Sequence, residues 1–410
     1  MNPSFSVQGW CPTAWQPMQA QDGWLVRARP PCAAITAAQW RVLAELAVAH
    51  GDSQLELTRL GNVQLRGVAE AGLGSLRAAL VAAGLVPAQA DADLAPPVHC
   101  TPFYRPGDAT HALALQLSAA VQQQLSPAAL QRLGLAPLPS KFGLLVDDGQ
   151  QRLKNTGADI RLWLEPDGRY ALCASGALEW LPFECAEDAV STAIQLARWF
   201  AQQRMQHQPA PTRLRSLIAH YPRNTQIHRE VAAAASALAR PVSLPADGVL
   251  IGASLGRVNA HAMLAVLQHL PESAPLRVTP WRSLWVDAAL GQAFQDPQYW
   301  ITEADDVRLR VSACTGAPRC AQAHIPAQAL AMELAPHVPA GSHLHVSGCA
   351  KRCALAADAT AEISAVLQGA SVQLFLRSNS SHAAPPVCLI PDALRAAPQQ
   401  IQQLIHDLHA

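Results

Sequence analysis

The amino-acid sequence predicts an α+β chain in which one unit of about 200 residues occurs twice. Three observations predict it. Residues 24–29 (Trp-Leu-Val-Arg-Ala-Arg) read as a strand, an apolar-periodic helix follows over 37–50, and further strands follow at 55–58 and 62–68. The same succession returns at 249–254 (Val-Leu-Ile-Gly-Ala-Ser), in a helix over 258–270, and in the strand Leu276–Thr279. The two copies are offset by 225 residues at the first strand and by 221 at the threonine.

Each unit divides into a small β-α-β piece (about 10–85 and 212–290) and a larger α/β piece (about 90–205 and 298–385). In the first larger piece, 141–147 and 159–164 read as strands, Pro166-Asp167-Gly168 as a hairpin turn, and 187–205 as a helix. In the second, a helix over 326–335 separates two cysteine pairs, and a strand follows at 371–376. Segments 205–215 and 385–398 are rich in Pro and Gln and read as connectors, and the last dozen residues read as helical. Gly72-Leu-Gly-Ser-Leu-Arg77 is only a partial dinucleotide fingerprint and reads better as a helix start. Five segments follow: 1–88, 89–210, 211–296, 297–385 and 386–410.

Composition narrows the function. The 410 residues carry 30 basic and 30 acidic side chains, which argues against binding nucleic acid or an anionic membrane through bulk charge. Half the residues are hydrophobic and 15 % are charged, so a large core can form. No apolar run is long enough to span a bilayer, and Met1-Asn2-Pro3-Ser4-Phe5 does not read as a secretory signal, so a cytoplasmic location is expected. The basic residues include only three lysines, Lys141, Lys154 and Lys351, and the rest are arginines. Arginine suits bidentate binding of carboxylates.

Ten cysteines occur, and six of them are scattered. The other four form Cys314-x5-Cys320 and Cys349-x3-Cys353, 28 residues apart. Two close thiolate pairs suit a four-iron, four-sulfur cluster, and the spacing is unlike the knuckles of structural zinc, although zinc or no metal remain open. Gly316, Pro318 and Gly348 would let the backbone wrap a bulky object.

On these residues the chain resembles the nitrite/sulfite reductase superfamily. The resemblance rests on Leu57-Thr-Arg-Leu-Gly-Asn-Val-Gln-Leu-Arg-Gly67, Leu138-Pro-Ser-Lys-Phe-Gly143 with Asp159-Ile-Arg161, and Val278-Thr-Pro-Trp-Arg282. It rests also on Ala313-Cys-Thr-Gly-Ala-Pro-Arg-Cys320 and His345-Val-Ser-Gly-Cys-Ala-Lys-Arg-Cys353. Within the superfamily, Thr-Pro-Trp-Arg and Ser-Gly-Cys-Ala-Lys are more similar to the branch that oxygenates precorrin-3A in aerobic cobalamin biosynthesis.

The resemblance implies ferredoxin-like half-domains for the small pieces, nitrite/sulfite-reductase-like domains for the larger ones, and a pseudo-two-fold arrangement. It implies an NAD(P)H-dependent monooxygenase that hydroxylates precorrin-3A at C20 and closes a ring-A acetate as a γ-lactone. The implied cofactors are a 4Fe-4S cluster on Cys314, Cys320, Cys349 and Cys353 and a mononuclear non-haem iron. The implied partners are O₂ and an external reductase, since no dinucleotide fingerprint is present. Arg59, Arg66, Lys141, Arg282 and Lys351 are the candidate binders of the tetrapyrrole's acetates and propionates. The alternatives are a siroheme-dependent sulfite or nitrite reductase, and a non-catalytic iron–sulfur or tetrapyrrole-binding protein.

Three positions depart from the reductase pattern. Arg59 directly follows Thr58 where Thr-x-Arg is usual, and on a strand that shift turns the side chain to the other face. A bulge at Gly61 would restore its direction, or Arg66 would replace it. Gly143 stands where the reductases tend to carry a second lysine, which weighs against six-electron reduction of an anion. Arg352 stands where glycine is commoner. His99, His324, His343 and His345 read as structural histidines.

Overall fold

The computed structural model describes residues 9–407 apart from 155, 178–179, 219–243, 353–354, 356–358, 369–370, 379–386 and 390–398. The first small piece holds β1 (Met18–Ala20), β2 (Gly23–Ala28), β3 (Ala34–Thr36), β4 (Gln54–Leu57) and β5 (Val63–Val68). The first larger piece holds β6 (Val98–Cys100), β7 (Leu144–Asp147), β8 (Ile160–Leu164), β9 (Tyr170–Ala174) and β10 (Trp180–Phe183). The second unit supplies β11 (Gly248–Gly252), β12 (Arg257–Asn259), β13 (Pro275–Val278) and β14 (Ser283–Asp287). It ends with β15 (Val311–Ala313), β16 (Leu344–Ser347), β17 (Ala361–Gln368), β18 (Ser371–Ser378) and β19 (Val387–Leu389).

The small pieces exchange strands. Sheet order is β1-β2-β5-β4-β12 on one side and β11-β14-β13-β3 on the other. Thus β12 of the second unit closes the first unit's sheet, with Val258 opposite Leu55, and β3 of the first closes the second's, with Ile35 opposite Leu276. The reciprocity is the pseudo-two-fold relation, and neither sheet is complete without the other unit.

Each exchanged strand runs straight into a helix, and the last residue of each strand caps that helix with its side chain. Thr36 accepts from the Gln39 amide and Gln39 answers it, a full capping box before helix Ala37–His50. Asn259 accepts from the Ala262 amide before helix Ala260–Leu267. The periodicity over 258–270 therefore spans the end of β12 as well as a helix that begins at Ala260. The two helices pack together in one core with Trp40, Leu43, Ala44, Met263 and Leu267, and the Trp40 indole donates to the Leu276 carbonyl at 3.2 Å.

The larger pieces repeat one topology. The order β10-β9-β8-β7-β6 matches β19-β18-β17-β16-β15, with the first three strands of each parallel and the last two antiparallel. Helices Ala109–Gln124 and Ala186–Gln206 cover the first sheet, with Phe142 stacked on Phe200. Helix Ala327–Leu334 covers the second. Among the described residues no helix is long and apolar enough to cross a membrane.

Candidate functional site

Strand order brings the cysteines together. β15 and β16 are parallel neighbours, and the Cys314 amide continues their ladder to the Val346 carbonyl at 3.1 Å. Cys314 therefore leaves the carboxyl end of one strand, and Gly348-Cys349 the carboxyl end of the next. Carboxyl ends of parallel strands are where open α/β sheets place their ligands. The Gly348 amide donates to Cys314 Sγ at 3.1 Å. The loop after Cys314 folds back over this corner: Cys320 N reaches the Gly316 carbonyl at 2.9 Å, and His324 N reaches the Gly348 carbonyl at 2.8 Å.

Two glycines make that return possible. Gly316 has φ +71°, and a Cβ there would stand 2.5 Å from the Ala327 amide nitrogen. A Cβ on Gly348 would stand 2.8 Å from the Ala323 methyl. Cys314 is buried, while Cys320 and Cys349 are half-buried. Cys353 lies outside the described residues. Soft thiols held at glycine-wrapped strand ends suit an iron–sulfur cluster. Among the described residues no three His, Cys, Asp or Glu side chains converge as a single metal ion requires. No ligand set for a mononuclear iron can be named from them.

The basic candidates separate. β4 ends at Leu57, and the chain turns from Thr58 to Asn62, with Thr58 N bonded to the Asn62 carbonyl at 2.9 Å and Gly61 N to the Thr58 carbonyl at 3.2 Å. Arg59 thus lies in a tight turn, and strand alternation does not govern its direction. Gly61, at φ +71°, is the left-handed residue of that turn rather than a strand bulge. The second unit repeats the turn from Thr279 to Ser283, with Arg282 at φ +55° in the left-handed position. Space is arranged reciprocally. A Cβ on Gly61 would meet the Ala33 methyl at 2.6 Å, whereas the Cβ of Arg282 stands over Gly256, where a methyl would meet it at 2.6 Å.

Arg59 and Arg282 line two adjoining cavities. One, of about 380 Å³, also has Arg27, Arg257 and Cys314 in its wall. The other, of about 470 Å³, also has Ser312 and His343. Arg66 does not join them. It is buried on β5 with both guanidinium arms on Asp22 at 3.0 Å, so its carboxylate partner is internal, and the expectation that it could replace Arg59 is corrected. Lys141 is exposed in the loop before β7, and its carbonyl accepts from Arg213 at 2.5 Å. Lys351 is half-buried two residues after Cys349. Neither lysine lines the two cavities. Arg352 has a plain role: at φ +53°, where glycine would be easiest, it turns its guanidinium onto the fully buried Glu362.

Other polar residues join the site that sequence reading passed over. Arg27 alternates with buried Val26 and Ala28 on β2 and so points away from the core. The stronger signal is His343-Leu344-His345-Val346-Ser347. A parallel strand covered on both faces should be apolar throughout, yet here every second residue is polar. Ser312 Oγ lies between His345 Nδ1 at 2.8 Å and His343 Nε2 at 2.9 Å. Burial first, then Arg282, pushes His345 down to about 3, so it is a neutral imidazole among cations. Its neighbours include Ser347, whose hydroxyl donates to Glu362 at 3.1 Å.

Residues 17–83 match the family model of the nitrite/sulfite reductase ferredoxin-like half domain. A precorrin-3B synthase of Sinorhizobium sp. is 28 % identical over 372 residues, covering 85 % of this chain and 78 % of that protein. The Mycobacterium tuberculosis NirA protein superposes with a TM-score of 0.65 at 14 % identity, over 93 % of this chain and 80 % of that one, a likeness of fold. The chain thus has the fold of a nitrite/sulfite-reductase-like protein and is similar in sequence, over most of its length, to a precorrin-3B synthase.

Proposed function

We propose that the chain is an oxidoreductase of tetrapyrroles, a precorrin-3B synthase that uses O₂ to hydroxylate precorrin-3A at C20 and closes the ring-A acetate as a γ-lactone. The observation that carries the reading is the arginine-lined cavity that reaches Cys314. A tetrapyrrole with acetate and propionate arms needs several guanidinium groups facing one space, because charge-assisted bonds to carboxylates are the strong ones.

Arg59 and Arg282 hold the carboxylates from the two units; Arg27, bonded to Gln64, and Arg257, paired with Asp52 of its own chain, stand in the same wall. Gly256 and Gly61 set how far each turn projects into the cavity. Lys351 supplies positive charge at the edge of the cysteine loop. Cys314, Cys320, Cys349 and Cys353 hold a 4Fe-4S cluster, which supplies single electrons when bound. An external reductase draws those electrons from NAD(P)H.

The test uses protein purified anaerobically. Iron, acid-labile sulfide and extractable pigment are measured, and then precorrin-3A, O₂ and a reductase are added. A product heavier by one oxygen atom supports the reading. Extractable siroheme with turnover of sulfite or nitrite overturns it. Arg282→Ala should raise KM for precorrin-3A by about 10–100-fold, the worth of one charged hydrogen bond.

A further inference from the structure

The two cysteine pairs share a detail that ligation itself does not require. An arginine directly precedes the second cysteine of each, Arg319 before Cys320 and Arg352 before Cys353. Each guanidinium is held by carboxylates from outside its own loop. Arg352 reaches the buried Glu362 on β17. Arg319 reaches across to the first unit, where its Nη1 stands 3.0 Å from Asp52 and 3.7 Å from Glu56.

Asp52 and Glu56 serve two arginines at once. Arg257, on β12, pairs with Asp52 at 3.4 Å and stands 3.9 Å from Glu56. Gln328 of helix Ala327–Leu334 accepts from both guanidiniums. The four charged side chains are partly buried, each with 15–26 % exposed. Two guanidiniums repel one another, so they share this corner because two carboxylates balance them. A lone exposed pair would hold little, whereas a half-buried network with shared partners keeps its geometry.

The network lies between two things that the site needs. Asp52 precedes β4 and Glu56 lies on it, and β4 runs directly into the Thr58–Asn62 turn that carries Arg59. Glu56, Arg257 and Gln328 stand in the wall of the cavity of about 380 Å³, together with Arg59 and Cys314. Arg319 stands at the other end of the cysteine loop. The loop's backbone bonds, from Cys320 to Gly316, from Ala323 to Cys320 and from His324 to Gly348, fix it within the second unit. The Arg319 side chain ties it to the first.

We propose that Arg319 is a positioning residue that, through Asp52 and Glu56, clamps the Cys314–Cys320 loop to the unit carrying Arg59 and so sets the cysteine pair against the wall of the ligand cavity. The inference rests on the cluster reading for what the cysteines hold. Arg319 acts through the loop, and no bond is made or broken. The clamp closes only when the two units have closed on each other, so the loop takes its ligating form in the assembled chain. Loss of the Arg319 guanidinium leaves Arg257 with both carboxylates, so no charge is stranded and the chain still folds.

The experiment compares the full-length wild type with Arg319→Gln, Arg319→Lys, Asp52→Asn and the double variant Arg319→Gln with Asp52→Asn. Arg169→Gln, which breaks an exposed pair with Asp167 in the first unit, is the control. Hydrogen exchange of the purified chains is read by mass spectrometry. Exchange over 314–326 should quicken in Arg319→Gln and Asp52→Asn and stay unchanged in the control. Arg319→Lys, which keeps the charge, should recover part of the protection. Unchanged exchange over 314–326 in Arg319→Gln overturns the clamp. So does exchange raised equally over 98–147 of the first unit, because the loss is then one of overall stability.

Iron release to a chelator, followed by absorbance, reads the clamp in the loaded protein. Arg319→Gln and Asp52→Asn should each release iron about tenfold faster than the wild type, the lower end of what one charged hydrogen bond is worth. The double variant should release it no faster than the faster single variant, since the two side chains act as one contact. Release at the wild-type rate, or effects that multiply in the double variant, overturn the clamp. A wild type that holds no iron or sulfide counts against the cluster reading alone, and the exchange result then decides the clamp by itself.

Discussion

The two α/β pieces share a backbone plan and differ in what stands at the carboxyl ends of their parallel strands. Thr101 N reaches the Val146 carbonyl at 2.8 Å just as Cys314 N reaches that of Val346 at 3.1 Å. Beyond that point, the first unit fills the corner with its own ions. The Thr101 hydroxyl bonds Asp148 at 3.3 Å, Asp148 pairs with Arg152 at 2.8 Å, and the buried Asp147 accepts from the Asp148 and Leu153 amides. The second unit places Cys314, Gly348 and Cys349 there. The neighbouring spaces differ in the same sense: about 70 Å³ beside Gly61 and His99, against about 470 Å³ beside Arg282 and His343. In the first unit Arg29 is drawn onto the buried Asp93. Duplication supplies strand ends in the right place, and a site further needs open space and side chains that face it.

The comparison can be broken most sharply at the cysteines. Cys314→Ser should remove most of the bound iron and sulfide, whereas Thr101→Ala, at the matching position, should leave both unchanged; metal and sulfide analysis decides. Equal losses would mean that the first unit also carries the cluster.

Acid titration sharpens it next. Burial and Asp148 push Asp147 up to about 7 from its ordinary 3.8, so the folded chain keeps that proton between about pH 4 and 7. Stability contributed by this group therefore grows as pH falls through 7. His345, down to about 3 from 6.5, acts oppositely, because the unfolded chain takes up the proton first and stability is lost as pH falls below 6.5. Asp147→Asn should remove the acid-side gain, so that its stability relative to the wild type is better at pH 8 than at pH 5 by about 2–4 kcal/mol in urea unfolding. A difference that does not vary with pH would show that Asp147 is ionised throughout.

The turn residues give a smaller effect. Gly256→Ala and Gly61→Ala each thrust a methyl to 2.6 Å from another Cβ, and should cost about 1–3 kcal/mol. Ala33→Gly should relieve the contact part of Gly61→Ala, while the φ of +71° remains unfavourable for alanine. Chemical denaturation of the single and double variants reads this directly. Smallest, Thr36→Ala, which opens a reciprocal capping box, and Asn259→Ala, which removes a single side-chain cap, should each cost about 1 kcal/mol. Strongly unequal losses would argue that the two units are not equivalent at their exchanged strands.

Much of this was legible in the residues. The helix over 37–50 falls at Ala37–His50, because Thr36 and Gln39 form a capping box and the apolar positions recur at helical spacing. The helix over 187–205 falls at Ala186–Gln206, and Gly72-Leu73 does open a helix, Leu73–Ala82. The α+β class and the repeat were readable because both are properties of local pattern. Arg66 was not: its partner Asp22 lies 44 residues away across β2, and no local spacing announces it. The role of Arg352 was equally hidden, since Glu362 becomes its neighbour only when β16 and β17 pair. His343 and His345 were visible as an alternation, but the serine that joins them comes from β15.

By itself, then, the sequence determined the elements, their duplication and the identity of the chemical groups: thiols in two pairs, arginines after two threonines, histidines on alternate positions. Hydrogen bonding within a helix, alternation along a strand and the chemistry of a side chain are all set within a few residues. Tertiary structure alone decided which units trade strands, which arginine meets a carboxylate of its own chain and which faces a cavity, and which strand ends lie side by side. Those depend on pairings between residues tens to hundreds of positions apart, and burial settles them by the space each side chain finds once the two units have closed on each other.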